Sequence, residues 1–133
     1  MDSSSIELPG SEIGAINFQD GCLRIHFSRA YIVKTMTGSQ ERTRWWQSGD
    51  LIMEAAHLQS SLLPGPLVCE GGDIDDNLFT YRDMIPIPLE SRGRIRCDLR
   101  FRGTDAHLVA GSDTLKLVMA DMPKYIEHIR HDH

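Results

Sequence analysis

Hydrophobic and polar residues alternate with a period of two along much of this chain, and two segments show it most cleanly. In one, Leu23, Ile25 and Phe27 share a parity while Arg24, His26 and Ser28 take the other. In the other, Ile95, Cys97, Leu99 and Phe101 alternate with Arg94, Arg96, Asp98, Arg100 and Arg102. Successive side chains of a strand point to opposite faces, so both segments predict half-buried β-strands. Further strands are expected at 14–18, 31–35, 42–47, 51–57, 67–70, 79–82, 107–110 and 114–120. The stretch 51–57 also suits a helix, because Met53-Glu54-Ala55-Ala56 are helix formers, but its setting among strands favours β.

Turn chemistry separates these runs. Asp20-Gly21 is a strong hairpin signal, and turns are expected at 37–40, at Ser48-Gly49-Asp50, and at Gly103 and Gly111. Residues 60–66 and 71–77 read as loops. The apolar run Met84 to Leu89 carries Pro86 and Pro88, which cannot donate to a ladder, so it is expected at an edge or as extended chain. Near the end, Asp121 can cap a short helix over about 122–130, with Pro123 in its first turn and Tyr125, Ile126 and Ile129 as its apolar stripe. Residues 1–11 resemble a flexible leader, leaving 12–133 as a single domain. Short strands with turns every eight to twelve residues predict a mainly β fold. It should be an antiparallel β-sandwich or flattened barrel of about seven to ten strands, with that C-terminal α-helix.

At 133 residues the chain can bury one core without disulfide or metal support. Cys22, Cys69 and Cys97 are odd in number and widely spaced, so buried free thiols in a reducing compartment are expected rather than a disulfide framework. The first residues carry no basic and apolar signal pattern, and no apolar run is long enough to span a membrane. Together these features predict a cytoplasmic protein. A net charge of −5 argues against a surface devoted to nucleic acid, while leaving room for a local basic face.

Such a face is suggested by the best-patterned strand. Arg94, Arg96, Arg100 and Arg102 share one parity, with side chains about 6.5–7 Å apart. Arginine suits bidentate binding of carboxylate or phosphate, and the chain has eleven arginines against three lysines. The plainer reading is a solvated outer face paired with nearby acids. Trp45 and Trp46 should point to opposite faces of their strand, one into the core and one outward. An outward tryptophan beside Arg42 and Arg44 has the composition of an interface hot spot.

Other signals fail on spacing. Asp73, Asp75 and Asn77 have the first three positions of a calcium loop, but its sixth and twelfth positions are Leu78 and Met84, which excludes an EF-hand. The tail holds His128, His131 and His133, but terminal residues rarely hold ligands in fixed geometry. No nucleophile elbow, zincin, Walker or dinucleotide motif occurs, so no catalytic residue, cofactor or metal is assigned. A catalytic set assembled from His26, His57 or His107 and distant partners would be invisible at this level.

From Tyr81 through Pro86-Ile87-Pro88-Leu89, the arginine strand, the glycines 103 and 111, and Pro123-Lys124-Tyr125-Ile126-Glu127, the second half resembles a class of small bacterial all-β proteins of unknown function. That resemblance implies the β fold and a bacterial source, and no activity. The leading expectation is a non-enzymatic interaction module. Its site would be Arg94, Arg96, Arg100, Arg102, Arg42, Arg44, Trp45 and Trp46, holding an acidic protein partner or an anionic ligand. The rival is a small-ligand or enzymatic barrel with an internal pocket. Unpaired sheet edges further predict a homodimer.

Overall fold

The computed structural model describes residues 3–36, 38 and 41–129. Its first hairpin forms where the sequence calls for one. Asp20 (φ 52°) and Gly21 (φ 74°) both take positive φ, the geometry of a type I′ turn, and pair Gln19 with Cys22. The hairpin joins β1 (Ser3–Gln19) to β2 (Cys22–Thr35). The chain continues as β3 (Arg42–Met53), β4 (His57–Leu58), β5 (Leu67–Asp76), β6 (Phe79–Arg82), β7 (Met84–Ile87), β8 (Glu90–Phe101) and β9 (His107–Ile129).

All strand pairs are antiparallel, and six strands close into a ring in the order β1, β2, β3, β9, β8, β5. The closing contacts are Glu12 with Val68 and Ile13 with Leu67. β1 can serve both sides of the closure because its register jumps between Glu7 and Glu12. Before the jump it pairs with β7, and after it with β5. Buried Ser11 holds this irregular stretch: its Oγ donates to the Glu7 carbonyl at 2.6 Å and accepts the Tyr31 N–H at 3.0 Å. Irregularities of this kind bend and twist a strand, which closure requires.

The ring encloses one hydrophobic cluster built from the parities expected in the sequence. Leu23, Ile25 and Phe27 face Leu51 and Met53, and Ile95, Cys97, Leu99 and Phe101 face Ile74 and Leu108, all of them buried. Cys69 and Cys97 are buried free thiols, and burial pushes each up to about 12. Cys22 is only partly buried. Thiolate is the reactive form, so native protein at mildly alkaline pH should give one fast-reacting thiol with a disulfide reagent. The other two should appear only on denaturation. Fast release of three equivalents would contradict this core.

The expected C-terminal helix is absent; its residues form the end of the 23-residue strand β9. The local signals for capping were real but weak. In the fold, Asp121 takes positive φ (61°) within a strand irregularity rather than at a cap. Beyond it, Lys124 pairs with Trp46, Tyr125 with Trp45, Glu127 with Arg44 and His128 with Thr43. Long-range pairing to β3 outweighs helix propensity over so short a stretch. Residue 130, the last of the expected helix, lies outside the described residues.

Four other local expectations change. The leader expected over 1–11 is, from Ser3 onward, the first half of β1, paired on both sides by β2 and β7. Ser48-Gly49-Asp50 is not a turn but the middle of β3. A Cβ at Gly49 would stand 2.8 Å from Met119 Sδ and 3.0 Å from the Val118 carbonyl, so this glycine permits close strand approach. Likewise Gly111-Ser112-Asp113 runs straight through β9. The segment expected as one strand over 51–57 is split between the end of β3 and β4, with a bend at 54–56. The proline-rich run behaves as expected: β7 ends the strand order and pairs along one edge only. The turn expected at 37–40 lies largely outside the described residues. Among the described residues, no helix is long and apolar enough to cross a membrane.

Candidate interaction surfaces

The two tryptophans separate as strand geometry requires, although neither is fully exposed. Trp45 is half-buried against the core, with its ring edge-on to Tyr125 at 5.2 Å between centroids, and its Nε1–H donates to Thr43 Oγ1 at 2.8 Å. The Lys34 ammonium lies over the same ring at 4.5 Å. Trp45 therefore belongs to the packing of the sheet rather than to a free surface.

Trp46 takes the outer face, in one cross-strand row with Glu7, Tyr31 and Lys124. Its ring carries two cations, Arg29 at 4.5 Å and Lys124 at 4.2 Å from the centroid. These contacts leave the ring half-covered and fix both side chains over an aromatic face. Beside it, Glu7, Tyr31, Arg44, Ile126 and Glu127 line a shallow groove of about 350 Å³. Arg44 is held between Glu7 and Glu127, each at 3.5 Å, and its charge is spent locally. Arg29 makes only a long 3.9 Å contact with Glu12. Arg42 is exposed at the far end of β3.

The arginine strand divides. Arg102 lies at the Trp46 side of the barrel: a methyl placed on Gly10 would touch both Arg102 Nη2 and the Tyr31 ring at 3.8 Å. Arg100 pairs with Asp83 at 3.5 Å. That same carboxylate accepts the Gly72 N–H at 2.9 Å, so Arg100 helps to hold β5 rather than a partner. Arg94 and Arg96 lie elsewhere, since Arg96 pairs with Gly111 while Trp46 pairs with Lys124 far along the same strand. The sequence treats the eight Arg and Trp positions as one face, and the folded chain distributes them over two surfaces and the core.

Three of the four described histidines meet carboxylates distant in sequence. His107 Nδ1 lies 2.8 Å from Asp98, His128 Nε2 lies 2.9 Å from Glu41, and His26 Nδ1 lies 2.6 Å from Asp50. Burial pushes the Asp50 carboxyl up, but hydrogen bonds from His26 and Arg24 and their nearby charges outweigh it and hold the group below the ordinary aspartate range. The His107–Asp98 pair is exposed and the His26–Asp50 pair part-buried, and both act as cross-strand ties. Nothing in the sequence marks which histidine meets which acid, because the partners are 9 to 87 residues apart.

The acidic run is strand rather than loop up to Asp76. Asp73 pairs with Arg82 at 3.2 Å, Asp75 accepts from Thr80 at 2.8 Å, and Asp76 accepts from Ser91 and Asn77. Among the described residues, no group of three His, Cys, Asp or Glu side chains is arranged to hold a metal ion. His131 and His133 of the expected tail cluster lie outside the described residues. The barrel interior, where an internal ligand pocket would lie, is filled by the hydrophobic cluster, and among the described residues no buried side-chain polar atom lacks a partner. Compared with known proteins, the chain matches no family model, no curated protein and no solved structure.

Proposed function

We propose that the protein is a non-enzymatic interaction module that docks an acidic partner protein on the Trp46 face. The observation that carries this reading is the outward Trp46 ring with Arg29 and Lys124 stacked on it, flanked by Tyr31 and Arg102. Tryptophan and arginine are the residues most enriched among binding hot spots, and a ring already lined with cations can pack against apolar surface while its rim meets carboxylates. Exposed Met122 and partly exposed Ile126 extend the same region with apolar area.

The test is co-purification of the tagged protein from its native cells, comparing wild type with Trp46→Ala, Lys124→Glu and the pair Arg96→Glu/Arg100→Glu. Truncating a hot-spot tryptophan should weaken capture by about 30-fold. Thermal stability should change little, since the ring is not in the core. Partner capture lost in Trp46→Ala and Lys124→Glu, but retained in the arginine pair, supports docking on this face. Undiminished capture by Trp46→Ala overturns it.

A further inference from the structure

We propose a second site, separate from the Trp46 face: the groove between β8, β9 and β4 binds a phosphate-type oxyanion, either free or carried as a phosphomonoester. Arg94, Arg96, His57 and Gln59 provide its donors, and the groove measures about 250 Å³.

The chain carries nineteen carboxylate residues against fourteen Lys and Arg, so acids are plentiful on its surface. Arg24, Arg29, Arg44, Arg82 and Arg100 each find one. Among the described residues, Arg94 and Arg96, like Arg42, Arg92 and Arg102, form no ion pair with a carboxylate, but these two lie two positions apart and line the same groove. Asp75 stands directly across from Arg96 and accepts from Thr80 Oγ1 at 2.8 Å, but its carboxylate forms no ion pair with the arginine. Asp113 also lines the groove, so its walls are not wholly basic. Two adjacent unpaired guanidinium groups repel each other and gain most from a shared anion.

Arg94 sits within a strand irregularity between Arg92 and Ile95, where Gly93 takes φ 125°. Asn77 clamps it by accepting the Arg94 N–H at 3.0 Å and donating to the Arg92 carbonyl at 2.8 Å. A Cβ at Gly93 would stand 2.0 Å from Asn77 Oδ1, so only glycine allows both the φ and the clamp. Irregularities of this kind re-aim a side chain out of the regular ladder. On the opposite wall, His57 lies against Gly111, where a Cβ would come 2.8 Å from its Nε2. The imidazole thus occupies the space of a missing side chain and borders the groove together with both arginines.

A carboxylate presents two oxygens, which a single guanidinium fork satisfies. Two forks, an imidazole and an amide match an anion with three or four oxygens. A phosphate or phosphomonoester is the common anion of that kind.

The experiment titrates the full-length protein with inorganic phosphate, phenyl phosphate or acetate at constant ionic strength, following amide chemical shifts. Phosphate should shift residues 57–59, 93–96 and 111–113 saturably, and acetate at equal concentration should not. Arg94→Ala/Arg96→Ala should weaken that response by about tenfold or more. Arg82→Ala, an exposed arginine outside the groove, should leave it unchanged. Tighter binding of phenyl phosphate than of phosphate identifies a phosphorylated partner or metabolite as the source, and the reverse identifies the free ion. The proposal is overturned if shifts spread equally over all arginines, if acetate matches phosphate, or if the double variant, with its other amide signals in place, responds as wild type does.

Discussion

Phe101→Ala should destabilise the protein by about 3–5 kcal/mol, whereas Phe79→Ala should stay within about 0.5 kcal/mol of wild type. The substitutions are chemically identical. Phe101 is 1% exposed at the end of β8, opposite Cys69, where β5 turns back to close the ring on β1. Removing its ring takes away burial and leaves a cavity that a closed sheet cannot easily collapse, because each strand is held on both sides. Phe79 is 69% exposed on β6, at one end of the strand order. Against a typical total of about 5–15 kcal/mol, the first change removes a large share of stability and the second almost none. Urea unfolding with a common slope measures both. Should Phe101→Ala be too unstable to purify, Phe101→Leu provides a milder step of about 1 kcal/mol on the same axis. Equal midpoints for the two alanine variants would contradict the closed barrel.

What the sequence disclosed, and what it hid, follows from the range of the forces involved. Leu23, Ile25 and Phe27, like Ile95, Cys97, Leu99 and Phe101, carry their burial in local parity, so both strands and the core residues they contribute were legible in the sequence. The Asp20-Gly21 turn was equally local. The C-terminal helix failed because the evidence for it was local while the deciding contacts were not: Trp45 and Trp46 select strand for Tyr125 and Lys124 from nearly eighty positions away. The arginine strand shows the same limit. Its parity was legible, but the division into Arg100 held by Asp83, Arg102 beside Tyr31, and Arg94 with Arg96 beside His57 depends on which strands close the ring. The Gly93 irregularity had no signature beyond one glycine in a charged run, and Asn77, which holds it, sits across a different turn. Sequence reasoning therefore located residue types suited to binding anions, and topology decided which of them remained unpaired.

The same long-range pairing sets the size of the effect expected when Trp45 is removed. Trp45→Ala should destabilise the protein by about 2–4 kcal/mol, below the full range for a buried aromatic because the ring is only half-covered. Its neighbours make the loss specific: the edge-on Tyr125 ring at 5.2 Å, the Lys34 ammonium at 4.5 Å and the Thr43 hydroxyl all lose a partner together. Tyr125→Ala alone should cost less, since that ring is exposed along the outer edge of β9. In a double-mutant cycle, the pair should show a coupling of about 0.5–1.5 kcal/mol, the usual worth of an aromatic contact beyond its buried area. Trp45 with Phe79→Ala provides the reference cycle, expected near zero. A helix over 122–130 would take Tyr125 out of register with Trp45 and abolish the first coupling, so a nil value there would remove the strand pairing on which the Trp46 face also depends. Coupling in the first cycle alone fixes β9 against β3 through Tyr125, and with it the position of Lys124 over Trp46.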